Sequence, residues 1–358
     1  MPKPLKASQL PIGASAPMDL DEVSVKVVGH ALESGTTAMF TPIPTGLTSI
    51  DSRTGGGLHG GDLIVLGGVQ NVGKTAAVMQ IAGSAADSGA MAIVVCFEHS
   101  TQVLWERLLI QQSFEGSESA HTTTDDIRKA YIDVILEREK RGAKKDYINQ
   151  LVGRIPNGLR AWAKLAKIQN NIWLVTGDSR YTSLDVLEAY IDMAGEYNKR
   201  ILLMVDYIQR VPVFDANKHL TAEERIDRVT QGLKSIALKK MDSGLVVPVL
   251  GVAAADAQGL RGGRVHLENL WGTSLLCYEP DLGIMMNKDP ELTREGFPKV
   301  RFALEKNRRG PSDIEFKHRF VGSAYTFDRE GELVSEADSW QAERRVLREE
   351  LESLNKKE

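Results

Sequence analysis

Residues 63–75 read LIVLGGVQNVGKT, and no other stretch restricts the possible fold so tightly. Leu63, Ile64, Val65 and Leu66 make a buried strand, and Gly68, four spacers, Gly73, Lys74 and Thr75 then fit the pattern G-x-x-x-x-G-K-[ST]. The following AAVMQIAGSAA is a helix with an almost wholly small or apolar face. The order strand, loop, helix explains the spacing. Small residues let successive backbone N–H groups turn inward around phosphate oxygens, and the helix points its positive end at the same anion. The phosphate-binding segment is therefore Gly68, Val69, Gln70, Asn71, Val72, Gly73, Lys74, Thr75 and Ala76. Lys74 is expected to reach the β/γ-phosphates, and the Thr75 hydroxyl to bind Mg²⁺. The alternative, a Gly-rich turn without a ligand, leaves the lysine and the flanking strand and helix unexplained.

Candidate strands at 62–67, 91–97, 172–176, 201–206, 246–253, 282–287 and 299–305 alternate with helical patterns at 75–87, 101–113, 183–198 and 222–241. Short apolar strands separated by helices predict an α/β fold, with a mostly parallel twisted sheet covered by helices on both faces. Strands 299–305 and 313–328 have short Gly/Pro connections and read as an antiparallel edge. Residues 115–170 interrupt the alternation as a polar, helix-favouring insertion. It carries a basic run (Arg138, Lys140, Arg141, Lys144, Lys145) that is either a solvated helix face or an interaction patch. The domain reading is a flexible segment with a short docking helix at 1–39, an ATPase-like domain at 40–330 and a charged helical tail at 331–358. Leu20, Val23, Val27 and Leu32 mark the first helix; Trp340, Leu347, Leu351 and Leu354 mark the last.

Bulk composition narrows partners only slightly. A net charge of −4 over 358 residues speaks against a uniformly basic nucleic-acid binder but allows a local basic channel. The two cysteines, Cys96 and Cys277, lie in apolar runs without metal spacing, so the expected setting is a reducing cytoplasm. No apolar run approaches the ~20 residues of a membrane span.

The other strand ends sharpen the chemistry. The second strand finishes as VVCFEHS and leaves Glu98 beside the loop, where a carboxylate polarises the attacking water; a helix N-terminal acid before Ser100 is the structural alternative. ILLMVDYIQR supplies Asp206 after five apolar residues, in the form of the second carboxylate that holds Mg²⁺ through water. EKNRRGP at 305–311 places Lys306, Arg308 and Arg309 just before a Gly-Pro turn. They make either a solvated turn or a set of cations that reaches another chain's γ-phosphate as an arginine finger does.

TGLTSIDSRTGGGLHGGDLIVLGG, CFEHS, VDYIQRVP, VTQGLKSIA, VVPVL and KNRRGP, in that order over residues 40–330, resemble the RecA-like motor domain of DnaB-type replicative helicases. The resemblance implies a RecA-like ATPase using ATP and Mg²⁺, with Glu98 activating water and Asp206 supporting the metal. Gln209 would couple the nucleotide site to DNA-contacting loops. Lys306 and Arg308 would act in trans, which implies a homo-oligomeric ring, normally a hexamer, moving on single-stranded DNA in a bacterial or phage-infected cell. A replication or loader protein is a further implied partner. RecA-superfamily ATPases of the RadA or KaiC kind, ATP-gated assemblies rather than unwinders, resemble the chain as well.

Three departures bear on the load. GVAAAD puts Ala253 and Ala254 where the family has a Ser-Gln sensor, with Asp256 as a candidate replacement. NLWGTS stands where an Arg-Glu-Ser-Gly-like stretch is expected, leaving Arg261, Arg264 and the amides around Gly272 as the candidate DNA contacts of 258–273. The 39 leading residues are too few for the family's helical, primase-recruiting N-terminal domain.

Overall fold

The computed structural model describes residues 19–25, 29, 32, 37–116, 121–141, 146–214, 220–261, 263–294 and 296–335. The chain divides into two compact units, Met1–Thr41 and Pro42–Glu358. In the first, Asp19 and Glu22 form a capping box on a helix at Leu20–Ser24, and Ala38–Phe40 makes one 3₁₀ turn. The remainder of the helix expected over 19–34, the segment 1–18 and the charged tail beyond 335 lie outside the described residues.

Among the described residues the second unit is built on one ten-stranded sheet. Its strands are β1 (Leu63–Gly68), β2 (Met91–Cys96), β3 (Ile172–Thr176), β4 (Ile201–Asp206), β5 (Val249–Val252), β6 (Leu282–Leu292), β7 (Pro298–Asn307), β8 (Ile314–Val321), β9 (Thr326–Phe327) and β10 (Glu332–Leu333). The order is β10-β8-β7-β6-β1-β5-β4-β2-β3, with β9 paired to β8. From β6 to β3 every pairing is parallel, while β7, β8, β9 and β10 join antiparallel, as expected for the C-terminal edge. Helices α1 (Lys74–Asp87), α2 (Thr101–Ser113), α3 (Thr124–Arg141), α4 (Tyr147–Val152), α5 (Gly158–Ile168), α6 (Leu184–Gly195) and α7 (Ala222–Asp242) cover it.

Strand periodicity divides the core. Ile64 and Leu66 of β1 point to the face holding α1, α2 and α5, while Leu63 and Val65 point to the face holding α6 and α7. Both sides of each central strand are therefore buried, which explains runs that are apolar throughout rather than alternating. The insertion is more integral than its polar composition suggests. Ile127, Ala130, Leu151, Val152, Ala161 and Leu165 are buried and complete the layer over the first face. Among the described residues its charged side chains are exposed or half-buried, so the average hides an apolar stripe. Of its basic run, Arg138 lies over the Tyr147 ring at 4.4 Å, and Lys144 and Lys145 lie outside the described residues.

Several strand limits differ from expectation: β6 runs on to Leu292, and β7 spans Pro298–Asn307 rather than 299–305. Pro248 delays β5 until Val249, because proline cannot donate to the ladder. The strand expected over 313–328 breaks at Gly322–Ala324, where Tyr325 takes φ +50°, before β9 resumes. Near this break Ser49 Oγ lies 2.9 Å from His318 Nε2, and His318 Nδ1 lies 2.9 Å from Asp328 Oδ1. His318 is wholly buried, so this Ser-His-Asp line fastens the segment before β1 to β8 and offers no face to a substrate.

Candidate nucleotide site

The parallel strands end together, and that edge collects the chemistry. Gly68 closes β1 with φ +148°, and a Cβ there would stand 2.2 Å from the Met286 carbonyl oxygen of neighbouring β6. Asn71 and Gly73 follow at φ 57° and 97°, so the loop curls before α1 begins at Lys74. A Cβ on Gly73 would lie 2.8 Å from Phe327 Cζ, because the Phe320 and Phe327 rings, stacked at 4.4 Å, close over the start of α1.

Lys74 is 6% exposed, and its Nζ donates to the Gly68 and Val69 carbonyls at 2.9 and 2.8 Å. Burial lowers its pKa, while Asp206 and Glu98 oppose that shift. The Thr75 hydroxyl donates to Asp206 Oδ2 at 2.8 Å. β4 delivers Asp206 between the ends of β2 and β5, opposite Cys96 and Val252. Asp206 is wholly buried, and its Oδ1 has no hydrogen-bond partner among the described residues. Burial pushes its carboxyl up to about 6; Glu98 adds to the shift, and Thr75, Lys74 and Arg107 oppose it. A buried carboxylate oxygen without a donor, beside a hydroxyl and a lysine, fits a divalent cation accompanying a phosphate. Among the described residues no cluster of three or more His, Cys, Asp or Glu forms a self-sufficient metal site.

Glu98 sits two residues beyond β2, exposed, on the wall of two cavities that the phosphate loop separates. The smaller, about 280 Å³, runs past Gly73, Thr75, His99 and Arg107 to Phe320 and Tyr325. The larger, about 730 Å³, runs past Gln70 and Gln209 to Ala254 and Trp271. Arg107 and Tyr325, 5.0 Å apart from guanidinium carbon to ring centroid, were not legible in the sequence. Arg107 lies inside an amphipathic helix and Tyr325 follows a 3₁₀ turn, so neither belongs to a spaced motif.

Gln209 joins the separate loops. Its Nε2 donates to the Trp271 carbonyl at 3.0 Å, its Oε1 accepts from Ala254 N–H at 3.2 Å, and Trp271 N–H donates to the Ala254 carbonyl at 2.8 Å. The Gln209 amide thus occupies the wall where Ala253 and Ala254 left a polar group missing. The expected stand-in, Asp256, is turned away: it accepts from Gly259 N–H at 2.7 Å and caps the one-turn helix Ala257–Arg261.

The candidate DNA contacts separate in the same way. Arg261 is exposed at the end of that helix. Arg264 departs from the expectation of a flexible loop, because it pairs with buried Glu315, which also lies 3.5 Å from Arg301. A guanidinium committed to a buried carboxylate is costly to withdraw. Gly272, at φ +145°, packs so closely that a Cβ would meet Ile226 Cγ2 at 2.9 Å.

Lys306 and Arg308 lie elsewhere. β7 runs against β6, so Asn307 is level with Leu282 and hence with Ile64, roughly 13 Å below Gly68 along the strands. Lys306 Nζ donates to the Cys277 and Tyr278 carbonyls at 2.8 and 2.6 Å; Arg308 donates to Tyr278 and Asp281 at 2.9 and 3.1 Å. Arg309 differs from both and grips Asp62 through two bonds of 2.5 and 2.8 Å.

The fold is shared with solved structures. One solved ATPase domain superposes with a TM-score of 0.63 at 19% identity, covering 86% of this chain and 98% of that one. A DnaB-like replicative helicase described with its interactions with primase gives 0.60 at 18% identity, covering 86% and 68%. At these identities the likeness speaks for a RecA-like fold. In sequence, the replicative DNA helicase DnaB of Treponema pallidum (strain Nichols) is 24% identical over 289 residues, 78% of this chain and 55% of the relative. The chain thus spans about half the length of that curated relative. Residues 42–329, which contain the phosphate loop, Glu98, Asp206 and Arg308, match the DnaB-like helicase C terminal domain, and the chain belongs to that family.

Proposed function

We propose that this chain is an ATP-hydrolysing, ring-forming DNA motor of the DnaB type, moving on single-stranded DNA. The observation that carries the reading is the division of the site between two rims. Lys74, Thr75, Glu98 and Asp206 gather at the carboxyl edge of the sheet, while Lys306 and Arg308 stand near the amino-terminal ends of β6 and β1. Cations so placed do not serve their own loop. Head-to-tail copies bring them to a neighbour's γ-phosphate, and closure of that arrangement makes a ring, normally of six.

In this mechanism the amides of residues 69–76 and Lys74 hold the phosphates. Thr75 and Asp206 would hold Mg²⁺, which when bound offsets charge on the β- and γ-phosphate oxygens. Glu98 orients the attacking water and takes its proton. Lys306 releases the Cys277 and Tyr278 carbonyls, and Arg308, whose side chain is 53% exposed, releases the Tyr278 carbonyl and the Asp281 carboxylate; both then meet charge as it develops, a contribution of about 10³–10⁵ in kcat for such fingers. Gln209 passes the state of the nucleotide site to residues 254–272, where Arg261 is the cation offered to DNA. The ion pair of Arg264 with buried Glu315 removes it from that role. The family suggests a replication or loader protein as a further partner and the cytoplasm as the setting.

Hydrolysis with and without single-stranded DNA, together with strand displacement from a forked duplex, tests the reading. Stimulated hydrolysis and displacement are expected. Hydrolysis indifferent to DNA, with no DNA bound, replaces it by an ATP-gated assembly of the RadA or KaiC kind.

A further inference from the structure

The larger cavity does not end at the phosphate loop. Besides Glu98 and Gln209 it is lined by Phe214 and Trp271, which are 71% and 44% exposed. Arg210 and Arg225 line the same cavity, and both are exposed. The Trp271 backbone is anchored, while its side chain is partly exposed. Its N–H is bonded to Ala254, its carbonyl to Gln209, and the preceding Leu270 is buried and bridged to Ala255. A rigid backbone thus presents a large aromatic face to solvent beside two cations. Burial in the core does not account for that ring, and the smaller cavity on the phosphate loop has aromatic rings of its own, Phe320 and Tyr325.

We propose that Trp271, in the cavity that Phe214 also lines, is a stacking platform for the bases of a single nucleic-acid strand, whose phosphates face Arg210 and Arg225. The inference rests on the DNA-motor reading above and adds to it the mode of contact. Every base has a π-face, so such a platform holds a strand without reading its sequence. Because the Trp271 carbonyl is bonded to Gln209, which lines the cavity with Lys74 and Glu98, a shift at the nucleotide moves the platform with the strand on it.

The test uses the full chain with a non-hydrolysable ATP analogue, titrated with labelled oligothymidylate and with an abasic oligomer of equal length. The wild type binds oligothymidylate more tightly than the abasic strand. Trp271→Ala loses about 5- to 150-fold for oligothymidylate while its affinity for the abasic strand is unchanged, which also shows that the variant is folded. Trp271→Phe restores most of the difference. Equal binding of both oligomers by the wild type, or an undiminished preference in Trp271→Ala, overturns the platform and leaves the motor reading standing. Failure of the wild type to bind either oligomer overturns both.

Discussion

Asp206→Asn is expected to make the ligand-free protein more stable while abolishing its hydrolysis. Burial pushes the Asp206 carboxyl from 3.8 up to about 6, with Glu98 acting in the same direction. The folded chain therefore holds that proton more tightly than the unfolded chain. Stability is fully retained below pH 3.8 and is lost as pH rises through about 6. The shift corresponds to a penalty of about 3 kcal/mol at pH 8 and about half that at pH 5. Asparagine is neutral and still accepts from Thr75, but it adds an amide donor without a partner, which costs about 1 kcal/mol. A net gain of about 2 kcal/mol is left at pH 8, a rise in melting temperature of roughly 3 °C for a chain of this length, and less than about 1 kcal/mol at pH 5. Calorimetry of both proteins in EDTA without nucleotide reads the difference directly. No gain at pH 8, or the same gain at both pH values, refutes the idea that a buried, underpartnered carboxylate is held there at the expense of stability.

Three other substitutions separate the parts of the site. Gly68→Ala drives a Cβ to 2.2 Å from the Met286 carbonyl, so nucleotide affinity and melting temperature fall together by thermal shift with ATP; a variant that binds normally contradicts the packing of β1 against β6. Arg309→Ala removes the grip on Asp62, which lowers stability by about 1 kcal/mol in denaturant titration and leaves turnover per folded molecule intact, setting it apart from its neighbour Arg308. Gln209→Ala cuts the tie between Ala254 and Trp271, so the ratio of DNA-stimulated to basal hydrolysis drops toward one; an unchanged ratio places the coupling elsewhere.

The parts of this molecule that were legible in sequence are those whose physics is local. Leu63–Thr75 shows the strand, the turn and the helix start because steric freedom at Gly68 and Gly73 and a cation at Lys74 are all needed within one short segment. Asp206 was visible because five apolar residues precede it in a strand buried on both faces. Arg264 read as a loop cation because its partner, Glu315, is 51 residues away on β8. Asp256 read as a sensor because its proximity to β5 was evident while its capping of Gly259 was not. Arg107 and Tyr325 meet only when the C-terminal strands fold back over α2, a long-range event without a local signature.

In the proposed motor a neighbouring subunit completes each ATP site, and mixing two inactive variants tests this most directly. Lys74→Ala retains its cations at 306 and 308 but cannot use nucleotide; Arg308→Ala retains its phosphate loop but lacks the finger. Alone, each is expected to be without appreciable hydrolysis. In randomly mixed rings about one interface in four pairs an intact loop with an intact finger. Recovered ATP hydrolysis in the mixture is the predicted result; a mixture as inactive as its components, in rings verified to contain both, contradicts the shared site.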